Sequence, residues 1–501
     1  MNTSNQFALQ NNSIPNVFSS NSIDFTSSEM GLYFRLDQGW VTEIENKNIY
    51  SWNDLNEGIS SESIPHVVVE GIAELYASNL SDVIQGSNQD ETIYGMGGDD
   101  YINGGEGIDN IFGGEGNDLI KTGKGWGNFV DGGEGNDTIN YFGETIDQGV
   151  YARMDKGWVT DYQNKLDYSW SEINTGIDSG EIEADFFVNI ENFTGTNYRD
   201  VIQGNSGDNI IKGAGGSDYI NGGDGFDISS YYGDSDDGYG INVRLDQGFA
   251  VSMADKMAHS WMDLLSAIKN GDVEADKLVS IEGAIGTKYN DAIQGNKFDN
   301  YLEGAQGNDF LNGGDGNDTL VGGSGIDRLI GGKGNDTFYA DETDSYINGG
   351  EGFDIVSFED VNGDNEVNIN LASSNYSGLE AIVIGGDLQQ QVHNINVSLD
   401  QIAADTEGTY DDMFFAIGID TLTFSDSVGI ASLTQELDGN YEAELIALLG
   451  LDELTQLQST TYETEGGNFV TVIQDVIIDS DMDIGGIGSQ DFMGQESMYI
   501  A

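Results

Sequence analysis

Between Gly304 and Tyr339 the apolar positions recur every nine residues, at Leu311, Leu320, Leu329 and Phe338, and each is preceded by a polar, glycine-rich stretch. Read in nines, the stretch repeats Gly-Gly-x-Gly-x-Asp-x-(apolar)-x. Glycine permits the left-handed backbone and close approach of a tight turn, and an isolated apolar residue between two polar ones fits a short strand with one face buried. Each nonapeptide therefore predicts one turn and one strand. Two nonapeptides make a coil, so residues eighteen apart stack on one edge at a spacing of about 4.8 Å.

The same phase recurs in three blocks. In the first, 79–143, the apolar column reads Ile84, Ile93, Ile102, Ile111, Ile120, Phe129 and, after one inserted residue, Ile139. The second, 195–232, carries Ile202, Ile211 and Ile220, and the third, 286–358, keeps strict ninefold register. A longer repeat precedes each block: LYFRLDQGWV from Leu32 returns as VYARMDKGWV from Val150 and as INVRLDQGFA from Ile241. Arg35, Arg153 and Arg244 mark its register at spacings of 118 and 91, which differ by 27, or three nonapeptides. These arms, 30–78, 144–194 and 233–285, alternate as strands about a turn. Each continues into a serine-capped helix or turn at SWNDLNEGI, SWSEINTGI or SWMDLLSAI. The first 29 residues read as a loosely ordered leader. From Glu359 the ninefold pattern stops, and 359–501 reads as a capping sheet with a short helix at YEAELIALLGLDELTQL. The predicted fold class is all-β, with three parallel β-roll blocks, interspersed arms and a C-terminal cap that covers the last coil's strand edges.

Charge sharpens this picture. The formal net charge is -71, with 88 acidic residues against 17 Lys and Arg. Such a chain excludes nucleic acid and anionic membrane as ready partners and favours cations. Cysteine is absent, so no disulfide can staple the coils. No apolar run reaches the length of a membrane-spanning helix, and the N-terminus MNTSNQFALQNNSIPNVFSS lacks the basic and apolar segments of a cleaved export signal.

The candidate chemistry is the aspartate column. In register stand Asp82, Asp100, Asp109, Asp118, Asp137, Asp200, Asp218, Asp227, Asp291, Asp309, Asp318, Asp327, Asp336 and Asp354, with Glu91, Gly127, Asn209, Asn300 and Ser345 as weak members. Stacked carboxylates repel unless a cation lies between them, and calcium tolerates an irregular shell of carboxylate and carbonyl oxygens. Turn glycines expected at these sites include Gly105, Gly107, Gly114, Gly116, Gly314, Gly316, Gly323, Gly325, Gly332 and Gly334. Seven complete Asp/Asp pairs lie eighteen apart: Asp82/Asp100, Asp100/Asp118, Asp200/Asp218, Asp291/Asp309, Asp309/Asp327, Asp318/Asp336 and Asp336/Asp354. They predict on the order of seven to twelve calcium ions at about 10⁻⁴–10⁻³ M per site.

On these motifs the chain resembles the RTX (repeats-in-toxin, hemolysin-type) calcium-binding family. That resemblance implies a calcium-loaded parallel β-roll, arms packed beside the roll as excursions, and an uncleaved C-terminal signal read by a type I secretion exporter. The tail is compatible, since no Lys or Arg follows Lys333. Only His66, His259 and His393 are present, with no HExxH and no GxSxG, so no catalytic motif accompanies the repeats. The expected function is an extracellular, non-enzymatic calcium binder, a surface, matrix or adhesive component with cell-surface or matrix polysaccharide as a candidate partner. The alternative is an extracellular RTX enzyme acting on a polymer. The repeated Trp40, Trp52, Trp158, Trp170 and Trp261 are expected as arm cores rather than sugar platforms.

Overall fold

The computed structural model describes residues 22–44, 66–69, 71–143, 148–233 and 238–359. Beyond these it describes 366–370, 376–383, 392–397, 413–417, 421–424, 429–430, 435–436, 457–463, 469–475 and 499–500. The chain divides into two compact units, one of Met1–Ser235 with Asp263–Ile281 and the other of Asp236–Met262 with Glu282–Ala501.

In the first unit two parallel sheets each turn a row of apolar side chains into the core. One runs through Glu74–Tyr76, Thr92–Gly97, Asn110–Glu115, Phe129–Glu134 and Asp185–Val188. The other runs through Val83–Gln85, Tyr101–Asn103, Leu119–Lys121, Thr138–Asn140, Asn192–Thr194, Ile210–Lys212 and Ile228–Ser230. Ile84, Ile102 and Ile120 are direct partners, eighteen residues apart as the double nonapeptide requires. Ile84, Ile93, Ile102, Ile111, Ile120, Ile139, Ile202, Ile211 and Ile220 are fully buried. Alternation puts the flanking residues of each three-residue strand outside, so one apolar side chain per nonapeptide builds the core.

Two expectations change, one about the arms and one about the leader. The hairpin Val150–Arg153/Trp158–Asp161 does not pack beside the roll; it is inserted in the first sheet. Trp158–Asp161 runs antiparallel to Asp185–Val188, and Val150–Arg153 runs parallel to Val201–Gln203. On the opposite sheet Asn192–Thr194 pairs directly with strands of both blocks, so the stack continues unbroken there. An antiparallel pair can enter a parallel sheet because both of its edges keep free N–H and C=O groups for neighbours. The leader also ends in order: Ser22–Asp24 pairs in parallel with Glu74–Tyr76, and Ile23 and Phe25 are buried. Its alternation of apolar residues about Asp24 is the cause.

The arm helix Trp170–Ser179 starts at Ser169, whose backbone N–H donates to Glu172 at 2.8 Å, and ends at Gly180 in left-handed conformation. Its Ile173 and Ile177 pack on Tyr151 and Trp158. Trp40 and Trp158 are arm core, but Trp170 is 38 % exposed, with the Arg153 guanidinium 3.8 Å from its ring centre. In the second unit Arg244 lies 4.6 Å over Trp261 in the same way. The register-marking arginines share a cause, because Arg35, Arg153 and Arg244 each pair with the aspartate two residues on, across the hairpin turn. Trp52 and the SWNDLNEGI segment lie outside the described residues.

In the second unit Ile241–Arg244 pairs antiparallel with Phe249–Ser252 and parallel with Ala292–Gln294, which opens the third roll. Leu302, Leu311, Leu320, Leu329, Phe338, Ile347 and Val356 fill its core. Its last strand, Ile355–Glu359, continues through Ala381–Val383 and Met413–Ile417 to Phe469–Asp475 and Leu457–Glu463, as a sheet over the final coil. The C-terminal helix expected at 441–457 and the final tail lie outside the described residues, apart from Leu457 and the strand Tyr499–Ile500.

Candidate metal centres

The loop geometry follows from where glycine stands. In GGEGND the glycines at the second and fourth positions, Gly114 and Gly116, have φ of 123° and 122°, which only glycine adopts without strain. The first is needed for space. A methyl on Gly104 would lie 2.7 Å from Asp109 Oδ2 and 2.6 Å from the Thr122 carbonyl oxygen. The same convergence of an aspartate oxygen with a carbonyl of the next coil recurs over Gly113, Gly304 and Gly331.

Past the first aspartate of each roll, the column aspartates divide their two oxygens. Oδ1 accepts the backbone N–H of the column residue one coil earlier. Asp82 donates to Asp100 at 2.7 Å, Asp100 to Asp118 at 2.8 Å and Asp118 to Asp137 at 2.8 Å. In the third roll Asp291 donates to Asp309 at 2.7 Å, Asp309 to Asp327 at 2.8 Å, and Asp318 to Asp336 and Asp336 to Asp354 each at 2.8 Å. Oδ2 has no hydrogen-bond partner in Asp100, Asp109, Asp118, Asp137, Asp309, Asp318, Asp327, Asp336 or Asp354, although it is buried. An orphaned buried carboxylate oxygen is costly in an uncharged surrounding and calls for a cation. Among the described residues no three acidic or histidine side chains converge on one point. A bound ion must therefore complete its shell from loop carbonyls, as the hard, many-coordinate calcium ion does. The residues fit that ion: Asp109 Oδ2 and the Thr122 carbonyl face one space, and the neighbouring loops repeat the pair.

Burial, followed by the charge of the neighbouring column acids, pushes Asp100 up to about 9 and Asp309 and Asp354 up to about 8. These folded-state values lie above the ordinary 3.8, so the contribution of these groups is full below about pH 4 and is lost as pH rises through the folded values. In chelator, circular dichroism should therefore report more strand at pH 5 than at pH 8.5; equal or greater strand at pH 8.5 would contradict it.

The RTX calcium-binding nonapeptide repeat model matches residues 76–111, 104–139, 194–228, 285–320 and 321–356. The blocks are RTX calcium-binding nonapeptide repeats. Proteins with RTX repeats are typically secreted. No curated protein matches the chain.

Within the RTX repeats the structure moves three expected positions. The ninefold phase puts Gly127 in the aspartate column and Phe129 in the core, but Asn128 and Val130 stand there. The Asp109 N–H donates to Asn128 Oδ1 at 2.9 Å, and Val130 is the buried partner of Ile111. The extra residue lies in the loop before Asn128, not between Phe129 and Ile139. At the end of the third roll the eighteen-residue step from Asp327 reaches Ser345, but the Asp344 carboxylate accepts the Asp327 N–H, at 2.9 Å.

Other acids close the ladders from outside the repeats. Glu191 accepts from the Asp137 N–H, Asp185 from Asn128, Asp276 from Asp218 and Glu380 from Asp354, at 2.8–2.9 Å. A second ladder lies beside the buried one at the position just before the column. Asp99, Asn117, Asp299, Asn317 and Asn335 accept, through Oδ1, the N–H of the residue one coil later, at 2.7–2.9 Å. Its signal was present as the recurrent Asn or Asp in GND and GDD. The run ends where Ile108, Phe226, Ile326 or Phe353 takes that position, because an apolar side chain cannot accept.

Proposed function

We propose that the chain is exported and folds outside the cell when its RTX loops take up several calcium ions, and that it then serves as a surface, matrix or adhesive component. The observation that carries this reading is the file of buried Oδ2 atoms without donors, from Asp100 to Asp137 and from Asp309 to Asp354. Calcium supplies positive charge and an open set of oxygen contacts to these loops. At low calcium the column carboxylates repel one another and the loops do not close, so the chain stays extended and fit for passage through a type I exporter. Once the loops close, Oδ1 of the later column aspartates locks to the coil before, and the arms become the main non-repeating surface open to a partner.

Retention on the producing cells tests the surface role. In medium with millimolar calcium the chain should pellet with the cells, and a chelator wash should release it. A chain found free in the medium under both conditions would count against this role, and turnover of a polysaccharide by the purified protein would favour an enzyme acting on a polymer.

A further inference from the structure

Each roll opens with two loops that depart from the glycine pattern. They are ASNLSD and GSNQDE in the first, GTNYRD and GNSGDN in the second, and GTKYND and GNKFDN in the third. In all six the second position is Ser78, Ser87, Thr196, Asn205, Thr287 or Asn296 instead of glycine.

The substitution changes what the column side chain meets. The backbone N–H of Ser78 donates to Asp82 Oδ2 at 2.7 Å, and those of Thr196 and Thr287 donate to Asp200 and Asp291 Oδ2 at 2.6 Å. Their hydroxyls donate to Oδ1 of the same carboxylates at 3.0–3.1 Å. The arm adds a donor to Oδ1, from the N–H of Leu32, Val150 or Ile241. Both oxygens of these three aspartates are thus satisfied by the protein, whereas the next aspartates on the same edge keep a buried oxygen without a donor, as at Asp100 and Asp309.

The second opening loop solves the same problem with an amide. Asn209 and Asn300 accept the N–H of Asn205 and Asn296 through Oδ1. Their Nδ2 atoms donate to the Glu191 and Glu282 carbonyls, eighteen residues earlier, at 2.7 and 2.8 Å. The NH₂ group does for that carbonyl what a cation does elsewhere in the roll. Glu91 takes the Ser87 N–H at 2.9 Å and its hydroxyl as well.

We infer that the opening coil of each roll closes without calcium, with N–H and O–H donors in place of the ion, and is the template on which the calcium-dependent coils stack. This rests on the calcium-coupled folding proposed above and restricts it to the later loops. Template and dependent coils are consecutive in sequence, which keeps the closure of each new loop local.

Ion counting by native mass spectrometry on the full chain in calcium tests it. Asp291→Asn, a change the chain itself makes at Asn209 and Asn300, should keep the parent number of ions, whereas Asp309→Asn should lose at least one. Equal loss in both variants overturns the inference. Should either variant fail to fold, hydrogen exchange of the unaltered chain in chelator decides. Amides of 286–303 should exchange about tenfold more slowly, or slower still, than those of 304–339, and equal fast exchange overturns the inference. If 304–339 stays as protected in chelator as in calcium, calcium-coupled folding fails instead, and ion counting alone judges the opening coil.

Discussion

Removing calcium from the folded protein at pH 8 should abolish most of its strand circular dichroism, and adding calcium back should restore it. The reason lies in the stacking of the column. Consecutive coils bring carboxylates to about 5 Å, where two unit charges at an effective dielectric of about 20 repel by about 3 kcal/mol. The third roll stacks Asp291, Asp309 and Asp327 on one edge and Asp318, Asp336 and Asp354 on the other, each joined to the next through Oδ1. The core cannot offset this, because each nonapeptide buries a single residue such as Leu311 or Leu320, and full burial of such a side chain contributes about 1.5–3 kcal/mol. Sodium chloride at equal ionic strength should not substitute, since screening acts on exposed charges and these oxygens are buried. Magnesium should act weakly, because it demands a regular octahedral shell and gives up its water reluctantly. Strand signal that survives chelation unchanged would sink calcium-coupled folding.

What could be read in the sequence was what repeats. The Leu311-to-Phe338 file, the eighteen-residue stacking and the aspartate column all follow from one short rule applied many times, so a local pattern fixed a long-range neighbour. The arms obeyed no such rule. Alternation in VYARMDKGWV predicts two strands about a turn but not their partners, and the insertion of Val150–Arg153 beside Val201–Gln203 is a tertiary choice. The closing acids Asp185, Glu191, Asp276 and Glu380 were invisible for the same reason, as each stands in a context that occurs once. Asn128 was missed because GKGWGN places its extra residue within a loop, where no apolar position records the shift. Asp344 was missed because the carboxylate one residue before the column reaches the same N–H.

The second large effect should come from one methyl group. Gly316→Ala is expected to cost about 2–5 kcal/mol of stability in saturating calcium, from a strained backbone and an overpacked contact together. Gly316 has φ of 119°, and a Cβ there would lie 2.5 Å from the Phe298 carbonyl carbon and 2.6 Å from its oxygen. Both are backbone atoms of the preceding coil, so relief requires the coils to separate at the loop that carries Asp318. The protein supplies its own control. At the second loop position it already holds Met96, Ala214 and Ala305 at φ of 82°, 67° and 72°, inside the left-handed region that a side chain can occupy. A side chain is therefore tolerated in these turns where φ lies between 67° and 82°, and Gly316 differs from those sites by its wider angle of 119° and its closeness to the neighbouring coil. Ala305→Gly should shift the denaturant midpoint little, and Gly316→Ala should lower it sharply and reduce the number of ions bound. A loss below about 1 kcal/mol for Gly316→Ala would mean that the coil spacing is soft, and the fourth glycine would then be a matter of loop flexibility rather than of close stacking.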